Sequence, residues 1–165
     1  MSEFFNRLVK RASERIRTVV LPECSDERTL DAAAKILELG FAKLVLLGDV
    51  RTLQDAMSQR GAATDDLQIF DPQNDPRREA FAQELYNLRK DRGMLPEQAE
   101  KIITDEIYFG TMLFKLGLAD GLVAGACHSS ADVIRPALQI IKSFQGMRTI
   151  SSTFFMSLNE QIYLF

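Results

Sequence analysis

Hydrophobic positions along this chain follow two periods, one typical of buried strands and one typical of helices. Short apolar runs at residues 18–21, 42–47 and 67–70 predict strands, because they are rich in β-branched and large aliphatic residues. The run at 42–47 is almost wholly apolar, as expected of a strand buried on both faces of a parallel sheet. Between the runs, apolar residues recur every three or four positions and predict helices.

Capping residues set the expected bounds of these helices. Serine or aspartate beside an acidic first turn is typical of a helix N-terminus, and glycine is typical of a helix end. Five helices are predicted in this way: from Ser25, with Asp26 and Glu27 in the first turn, to Gly40; from Gly48-Asp49 to Gly61; from Asp75-Pro76 to Gly93; from Leu95-Pro96; and over residues 109–116, with Leu116 inward and Gly117 at the end.

The order of the elements predicts the fold class. Alternation of strand, helix, strand, helix and strand is typical of an α/β protein built from βαβ units, whose crossovers are right-handed. Ligands of such sheets collect at the carboxyl ends of the strands. The loops at residues 22–26, 48–50 and 125–130 are therefore candidate ligand-binding segments.

The start of the chain predicts an amphipathic helix over residues 2–16. We expect this helix to dock on the rest of the protein through its apolar stripe. A mitochondrial presequence is poor in acidic residues, so Glu3 and Glu14 argue against one. The stripe consists of Phe5, Leu8, Val9, Ala12 and Ile16.

Residues 120–136, D-G-L-V-A-G-A-C-H-S-S-A-D-V-I-R-P, form the most informative segment. A short apolar run enters a small-residue loop, and the loop leads into a helix that carries Ser129, Ser130 and Arg135 in its first turns. The first N–H groups of a helix lack internal partners and carry partial positive charge. With adjacent hydroxyls and a guanidinium, they predict a phosphate site, and the alternative is an ordinary strand-to-helix connection with a surface arginine.

Pro136 leaves two versions of this helix open. Either the helix begins at Pro136, or a first turn at residues 131–135 is kinked, because proline inside a helix removes a hydrogen bond. Both versions keep Arg135 near the opening. The continuation is expected to bury Leu138 and Ile141, with Ile140 on an adjoining face, and to end at Gly146.

Composition excludes several classes of protein. The chain has 165 residues, a net charge of -3 and no basic run, which argues against a nucleic-acid or anionic-membrane surface. Two cysteines and one histidine predict neither a disulfide framework nor a zinc site, and they fit a reducing cytoplasm. No apolar run approaches the length of a membrane span.

Other chemically suggestive residues have simpler interpretations. Cys127 and His128 are adjacent, and neighbours on extended backbone point to opposite faces, so we expect a packed cysteine and a loop histidine rather than a nucleophile and its base. Asp120 before Gly121 predicts a turn or cap. The strand-end residues 26–28 are explained by capping. Arg89, Lys90 and Arg92 crowd a helix C-terminus, where the helix dipole favours cations.

The end of the chain predicts further strands at residues 150–156 and 161–165. A terminal strand of the parallel type leaves apolar surface and a sheet edge uncovered, so we expect a fragment of a longer protein. We place a first α/β domain at residues 1–147 and the start of a second, truncated domain at residues 148–165.

Four segments carry a resemblance to a known family. These are T-V-V-L-P-E-C-S-D-E-R-T-L-D-A-A at residues 18–33, G-M-L-P-E-Q-A at 93–99, F-G-T-M-L-F-K-L-G-L-A-D-G-L-V-A-G-A-C-H-S-S-A-D-V-I-R-P-A-L-Q-I-I-K at 109–142 and I-S-S-T-F-F-M at 150–156. They resemble the phosphate acetyltransferase and phosphate butyryltransferase family, and are closest to its acetyltransferases. Cys24, where glycine is frequent, and Ser130, which replaces a common threonine, are the two departures.

The resemblance implies reversible transfer of an acetyl group between coenzyme A and inorganic phosphate. It also implies a dimeric two-domain protein whose three-layer α/β/α fold, with a mostly parallel sheet, is like that of isocitrate and isopropylmalate dehydrogenases. Coenzyme A is a substrate in this family, and no prosthetic group or metal is implied.

The resemblance also assigns residues. Arg89 in Y-N-L-R-K and Arg135 in R-P-A-L-Q match family arginines that bind coenzyme A phosphates. Phosphate contacts by Ser129 and Ser130 are our inference from the helix-opening argument. The family's catalytic residues lie in the half that this chain lacks, so no residue here is assigned a catalytic role, and the chain alone is expected to be inactive.

Three alternatives remain open at this stage. One is a phosphate butyryltransferase, since acyl preference is not determined by this half. Another is a non-catalytic sensor of acetyl-coenzyme A, like a domain of some malic enzymes. The third, a dehydrogenase-like nucleotide binder, is disfavoured because G-x-G-x-x-G does not follow the first strand.

Overall fold

A four-stranded parallel sheet forms the centre of the computed structural model, which describes residues 3–63, 67–142, 152–158 and 161–165. Its order is β3-β2-β1-β4. Val19 and Val20 of the first strand lie opposite residues 121 and 122 of the fourth. The strands are β1 (Arg17–Leu21), β2 (Ala42–Leu47), β3 (Leu67–Phe70) and β4 (Gly121–Leu122).

Helices cover both faces of the sheet, which confirms the predicted three-layer α/β/α fold. Helices α2 and α3 pack on one face, around Leu44 and Leu46, and α4 to α7 pack on the other, around Val45 and Leu47. The helices are α1 (Glu3–Ser13), α2 (Glu27–Leu39), α3 (Val50–Gln59), α4 (Arg78–Arg89), α5 (Pro96–Ile102), α6 (Glu106–Lys115) and α7 (Ser130–Ile140).

The strand β2 has the double burial that its apolar run predicts. Ala42 and the four residues from Leu44 to Leu47 are buried, and only Lys43 of this strand is exposed. Neighbouring residues of a strand point to opposite faces, so this strand contributes to both halves of the core. Each fully buried leucine stabilises the fold by about 1.5–3 kcal/mol.

Three predicted helix starts are wrong: α2 and α4 begin one and two residues later than predicted, and α6 begins at Glu106, three residues before the predicted residue 109. The N-cap of α2 is Asp26 rather than Ser25, because the Asp26 carboxylate accepts a hydrogen bond from the Arg28 N–H. Helix α4 begins at residue 78, after the predicted Asp75 cap. Asp75 instead accepts the Arg77 N–H at 2.8 Å and pairs with the Arg77 guanidinium at 2.6 Å, which makes a local turn.

The expected buried faces of two helices also need correction. In α7 the fully buried aliphatic residue is Ile140, whereas Leu138 and Ile141 are 45% and 39% exposed. Leu116 lies at the C-cap of α6, beyond its last buried turn, and is 45% exposed. The predicted helix end at Gly146 lies outside the described residues.

The two ends of the chain depart from the predicted docking and pairing. Helix α1 forms but ends at Ser13, before the predicted residue 16, and it buries none of its residues, so the expected docking is wrong for the described structure. The strands β5 (Phe155–Leu158) and β6 (Gln161–Leu164) form an antiparallel hairpin, not a strand of the parallel type. Residues 150–151 and the proposed domain boundary at 147/148 lie outside the described residues, and the boundary stays a prediction.

The strand order places a topological switch point between β1 and β4. The chain runs from β1 outward to β3 and then returns through α4, α5 and α6 to the other side of β1. Loops that follow β1 and β4 therefore face each other across the crevice where ligands of parallel sheets bind. Helix α6 lies close to this point, since a Cβ at Gly110 would be 2.6 Å from the Leu122 Cδ1 atom.

Candidate functional site

A buried carboxylate connects the two loops at the switch point. Glu23 follows β1 and is only 2% exposed, and its Oε2 atom accepts the N–H groups of Gly125 at 2.6 Å and Ala126 at 2.7 Å. Its Oε1 atom accepts the N–H groups of Cys127 at 3.0 Å and His128 at 2.9 Å. Four successive amides of the loop before α7 thus converge on one side chain.

This contact changes the interpretation of the predicted phosphate loop. The N–H groups of residues 125–128 form an anion-binding nest, and Gly125 and Ala126 leave space for the approach of the anion. The anion in the nest is the chain's own Glu23 carboxylate. A ligand phosphate would therefore bind beside this loop rather than in it.

The electrostatics of the nest favour an ionised pair of Glu23 and His128. Burial raises the pKa of the Glu23 carboxyl, but the N–H groups of Cys127 and Ala126 and the bonds from His128 outweigh it and hold this pKa well below its ordinary value. The hydrogen bond to Glu23, at 2.8 Å, raises the pKa of the His128 imidazole, against the effect of burial. Glu106, at the start of α6, raises it further.

Cys127 lies nearer to His128 than the sequence argument allowed. Its sulfur is 3.7 Å from His128 Nδ1, because the loop backbone is not extended, and the side chain is exposed rather than packed. The pair is nevertheless poorly suited to nucleophilic catalysis. His128 Nδ1 faces Glu23, and burial and the Glu23 hydrogen bond raise the pKa of the Cys127 thiol.

Glu23, Cys127 and His128 also place three possible metal-ligand atoms within 4.8 Å of one another. The donor set does not suit a cation, however, because four backbone N–H groups already direct positive charge at the Glu23 oxygens. The arrangement matches hydrogen-bond donors around an anion, not ligands around a metal.

A groove beside α7 brings together three of the four predicted site residues. Arg89 at the end of α4 and Ser130 and Arg135 on α7 line a groove of about 490 Å³. The Arg89 Nε atom is buried and has no hydrogen-bond partner among the described residues. Buried polar groups are normally hydrogen-bonded, so the described residues do not complete the hydrogen bonds of this guanidinium.

Tyr108 and Gln139 support one side of this groove. The Tyr108 hydroxyl on α6 lies 3.0 Å from Gln139 Oε1 on α7, so it ties the two helices together. Burial raises the pKa of the Tyr108 hydroxyl, and the nearby charge of Arg135 opposes that rise. Sequence reasoning gave Tyr108 no role.

The first turn of α7 separates the roles of its two serines. Ser129 is the N-cap: its Oγ atom accepts the Asp132 N–H at 3.3 Å and donates to the Asp132 carboxylate at 2.6 Å. Ser130 begins the helix and lines the groove. Pro136 lies inside the helix, which therefore starts before it, and Arg135 lies five residues, or about 1.4 turns, after Ser130. Their phosphate contacts stay predictions.

The remaining candidates have structural partners. Asp120 accepts the Thr18 N–H at 2.9 Å and pairs with Arg17 at 2.5 Å, which fixes β4 beside β1. Arg28 donates to the Asp26 carboxylate and, at 2.8 Å, to the Ala126 carbonyl, so it forms a second link between the two switch-point loops.

An apolar groove of about 430 Å³ lies on the α2 side of the switch point. Val19, Ile36 and Val123 are among its lining residues. Arg28 also lines it, but its guanidinium is engaged with Asp26. The groove beside α7, with two arginines, is therefore the better phosphate site of the two.

Comparison with known proteins identifies the family. The family model described as phosphate acetyl/butaryl transferase matches residues 3–165. The chain belongs to this family. Its relatives in the phosphate acetyl/butaryl transferase family include the phosphate acetyltransferase of Helicobacter pylori strain J99, which is 41% identical over 162 residues, and that of Acetivibrio thermocellus, which is 40% identical over 156 residues.

The fold agrees with the family assignment. The structure is similar to that of a phosphotransacetylase from Streptococcus pyogenes, with a TM-score of 0.89 and 34% sequence identity over 99% of this chain. The chain covers 31% of the H. pylori protein, 46% of the A. thermocellus protein and 51% of the S. pyogenes chain. It therefore spans about half or less of the length of these relatives.

Across residues 3–63, 67–142, 152–158 and 161–165, no helix has the length and apolar character that crossing a bilayer requires.

Proposed function

We propose that the protein containing this chain is a phosphate acetyltransferase, which moves an acetyl group reversibly between acetyl-coenzyme A and inorganic phosphate. Two relatives that are 40% and 41% identical to this chain carry that name. Because the chain spans only part of them, the activity is assigned to the full-length protein. We propose an acetyl rather than a butyryl group as the group transferred, because both relatives are named phosphate acetyltransferases.

The groove formed by Arg89 and Arg135 carries the proposal. The two residues are distant in sequence, yet they line one groove together with Ser130. Coenzyme A carries several phosphate oxygens, and a guanidinium binds such oxygens in a bidentate manner that lysine does not reproduce. The partnerless Nε atom of Arg89 shows that the described residues leave hydrogen-bonding capacity of this guanidinium unused.

The chemistry explains why such a groove is needed. In the synthesis of acetyl phosphate, a phosphate oxygen attacks the thioester carbonyl and the thiolate of coenzyme A leaves. Holding both substrates in line converts a bimolecular step into a nearly unimolecular one. Arg89 and Arg135 would bind coenzyme A by its phosphates, whereas the base that exchanges a proton with the thiol is assigned to the part of the protein beyond this chain.

Two further properties belong to the proposal. We expect the full-length protein to be a homodimer and to act in the cytoplasm, as the family resemblance and the two free cysteines suggest. Size-exclusion chromatography with light scattering would test the dimer, and a monomeric full-length protein would contradict it.

The activity is tested by formation of acetyl-coenzyme A from acetyl phosphate and coenzyme A, using the full-length protein. We expect activity in the wild type and a raised KM for coenzyme A in Arg135→Ala. Arg51→Ala is the matched control, since Arg51 is exposed on α3, on the opposite face of the sheet. A wild type that binds acetyl-coenzyme A without transferring the acetyl group would contradict the enzyme and favour the sensor.

A further inference from the structure

Glu23 forms a contact that neither the family assignment nor the proposed activity explains. Its side chain is almost completely buried, and it binds backbone amides that are 102 to 105 residues away in sequence. A carboxylate in the core is costly unless it is fully hydrogen-bonded. Here the four N–H groups and the His128 ring nitrogen supply those bonds.

The contact fixes the shape of the loop at residues 125–128. Four successive N–H groups point to one carboxylate only when the backbone curls around it. Gly125, with a φ of 109°, adopts a conformation that residues with a side chain rarely take and so permits this curl. Without the carboxylate, nothing else in the described structure accepts all four of these N–H groups.

The loop in turn sets the start of α7. His128, the last of the four, directly precedes the Ser129 N-cap, and Ser130 and Arg135 follow on the helix. The helix is a rigid element, so a shift of its first turn also moves Arg135 relative to Arg89 on α4. Arg28 adds only one bond to the same loop, at the Ala126 carbonyl, and its side chain is 75% exposed.

We propose that Glu23 is a positioning residue, which serves as the internal anion of the 125–128 nest and thereby holds α7 where Ser130 and Arg135 face Arg89. The inference rests on the proposed function, because the groove that it positions is the proposed coenzyme A site. Glu23 itself does not line that groove.

A positioning role for Glu23 can be distinguished from a space-filling role by what restores the loop structure after Glu23 is replaced. If the nest needs only an anion, a small carboxylate that diffuses into the space left by Glu23→Ala will restore the loop. If Glu23 acts only by filling space in the core, Glu23→Gln, which keeps the shape, will behave like the wild type. Glutamine presents an N–H₂ group to N–H donors, so it cannot satisfy all four amides.

The experiment uses the full-length protein and compares wild type, Glu23→Gln, Glu23→Ala and Glu23→Asp with the control Glu38→Gln. Glu38 is exposed on α2 and pairs only with Lys35 among the described residues. We expect Glu23→Gln to raise the KM for coenzyme A by on the order of tenfold, with a smaller effect on kcat. Formate is expected to lower the raised KM of Glu23→Ala toward the wild-type value, while leaving the wild type unchanged.

Amide hydrogen exchange provides a measurement that does not depend on activity. We expect faster exchange in the peptide covering residues 124–130 for Glu23→Gln and Glu23→Ala, and slower exchange when formate is added to the alanine variant.

Glu23→Asp keeps the charge on a side chain that is one methylene shorter, so we expect a smaller rise in the KM for coenzyme A than in Glu23→Gln. This variant keeps the test decisive if Glu23→Ala does not fold.

The outcomes separate the two proposals. An inactive wild type whose loop exchange responds to Glu23 as expected would contradict the proposed activity and leave the control of the loop by Glu23 intact. An active wild type with a KM for Glu23→Gln within about twofold of the control would overturn the positioning role. Loop exchange that is the same in wild type and Glu23→Gln would also overturn it.

Discussion

Glu23 and His128 lie 105 residues apart, yet Glu23 Oε1 is 2.8 Å from His128 Nδ1. One residue follows β1 and the other belongs to the loop after β4, so the pair spans the crevice at the switch point of the sheet. The Glu23 and His128 pair therefore links the two loops on either side of this crevice. The groove with unsatisfied arginine hydrogen-bonding capacity lies beside it, between α4 and α7.

The stability of the protein is expected to depend on pH through this pair. The folded-state pKa of His128 lies above its ordinary value of 6.5, so its contribution is complete below pH 6.5 and is lost as pH rises through the folded-state pKa. The folded-state pKa of Glu23 lies below its ordinary value of 4.5, so its contribution is complete above pH 4.5 and is lost at lower pH. Between pH 4.5 and pH 6.5, the stabilising contributions of Glu23 and His128 are therefore both complete.

His128→Asn tests this dependence, because the asparagine amide can keep a neutral hydrogen bond to Glu23. We expect the variant to lose about 1 kcal/mol of unfolding free energy near pH 5.5, the difference between a charged and a neutral hydrogen bond. The loss should shrink as pH rises above 6.5. Thermal unfolding at several pH values measures it, and a loss that grows toward alkaline pH would contradict the charged pair.

Ser129 and Ser130 are expected to respond differently to the same substitution. Ser129→Ala removes the N-cap of α7 and should lower the unfolding free energy by about 1 kcal/mol, with little change in the KM for coenzyme A. Ser130→Ala should leave stability nearly unchanged and raise that KM, since Ser130 lines the groove. A KM for coenzyme A in Ser130→Ala equal to that of the wild type would remove Ser130 from the proposed site.

The elements that the sequence predicted well are those with strong local signals. The bounds of β2 and β3 match the predicted runs, and α5 begins at Pro96, where a proline favours the first helical turn. The start of α4 was predicted less accurately, because the Asp75 carboxylate can form a turn as readily as a helix cap.

The main feature of the site was not predictable from local pattern. The Glu23 carboxylate accepts the N–H groups of the 125–128 nest, and contacts over more than 100 residues leave no mark in local periodicity. The available signal was Glu23 itself, a charged residue two positions after the end of β1. The proximity of Cys127 and His128 was missed because the argument assumed extended backbone.

Gly110 is expected to be necessary for the packing of α6 on the sheet. A Cβ there would lie 2.6 Å from Leu122 Cδ1 and 3.1 Å from Val20 Cγ1, within a buried region. Gly110→Ala should therefore lower the unfolding free energy by about 1–3 kcal/mol. Gly121→Ala is the matched control, since its Cβ would meet nothing within 4 Å. A Tm for Gly110→Ala equal to that of the control would disprove this close packing.

The two cysteines are expected to be dispensable for catalysis and to differ in reactivity. Burial raises the pKa of the Cys24 thiol to about 12, so Cys24 should resist iodoacetamide in the folded protein. Cys127 is exposed and should react, but more slowly than a free thiol, because its pKa is also raised. Mass spectrometry of labelled peptides measures both rates.

Cys127→Ser separates a structural cysteine from a nucleophile. We expect it to retain kcat, whereas loss of a catalytic nucleophile lowers kcat by about 10³-fold or more. A loss of that size would restore the thiol mechanism that the Glu23 and His128 geometry argues against.

Binding of the coenzyme A phosphates by Arg89 and Arg135 is tested by changing the acetyl acceptor. Acetyl transfer from acetyl phosphate is measured with coenzyme A and with pantetheine, which has the same thiol and no phosphate, in the full-length wild type, Arg89→Ala and Arg135→Ala. We expect each variant to raise the KM for coenzyme A by about tenfold or more and to match the wild type with pantetheine. Equal losses with both acceptors would contradict the claim.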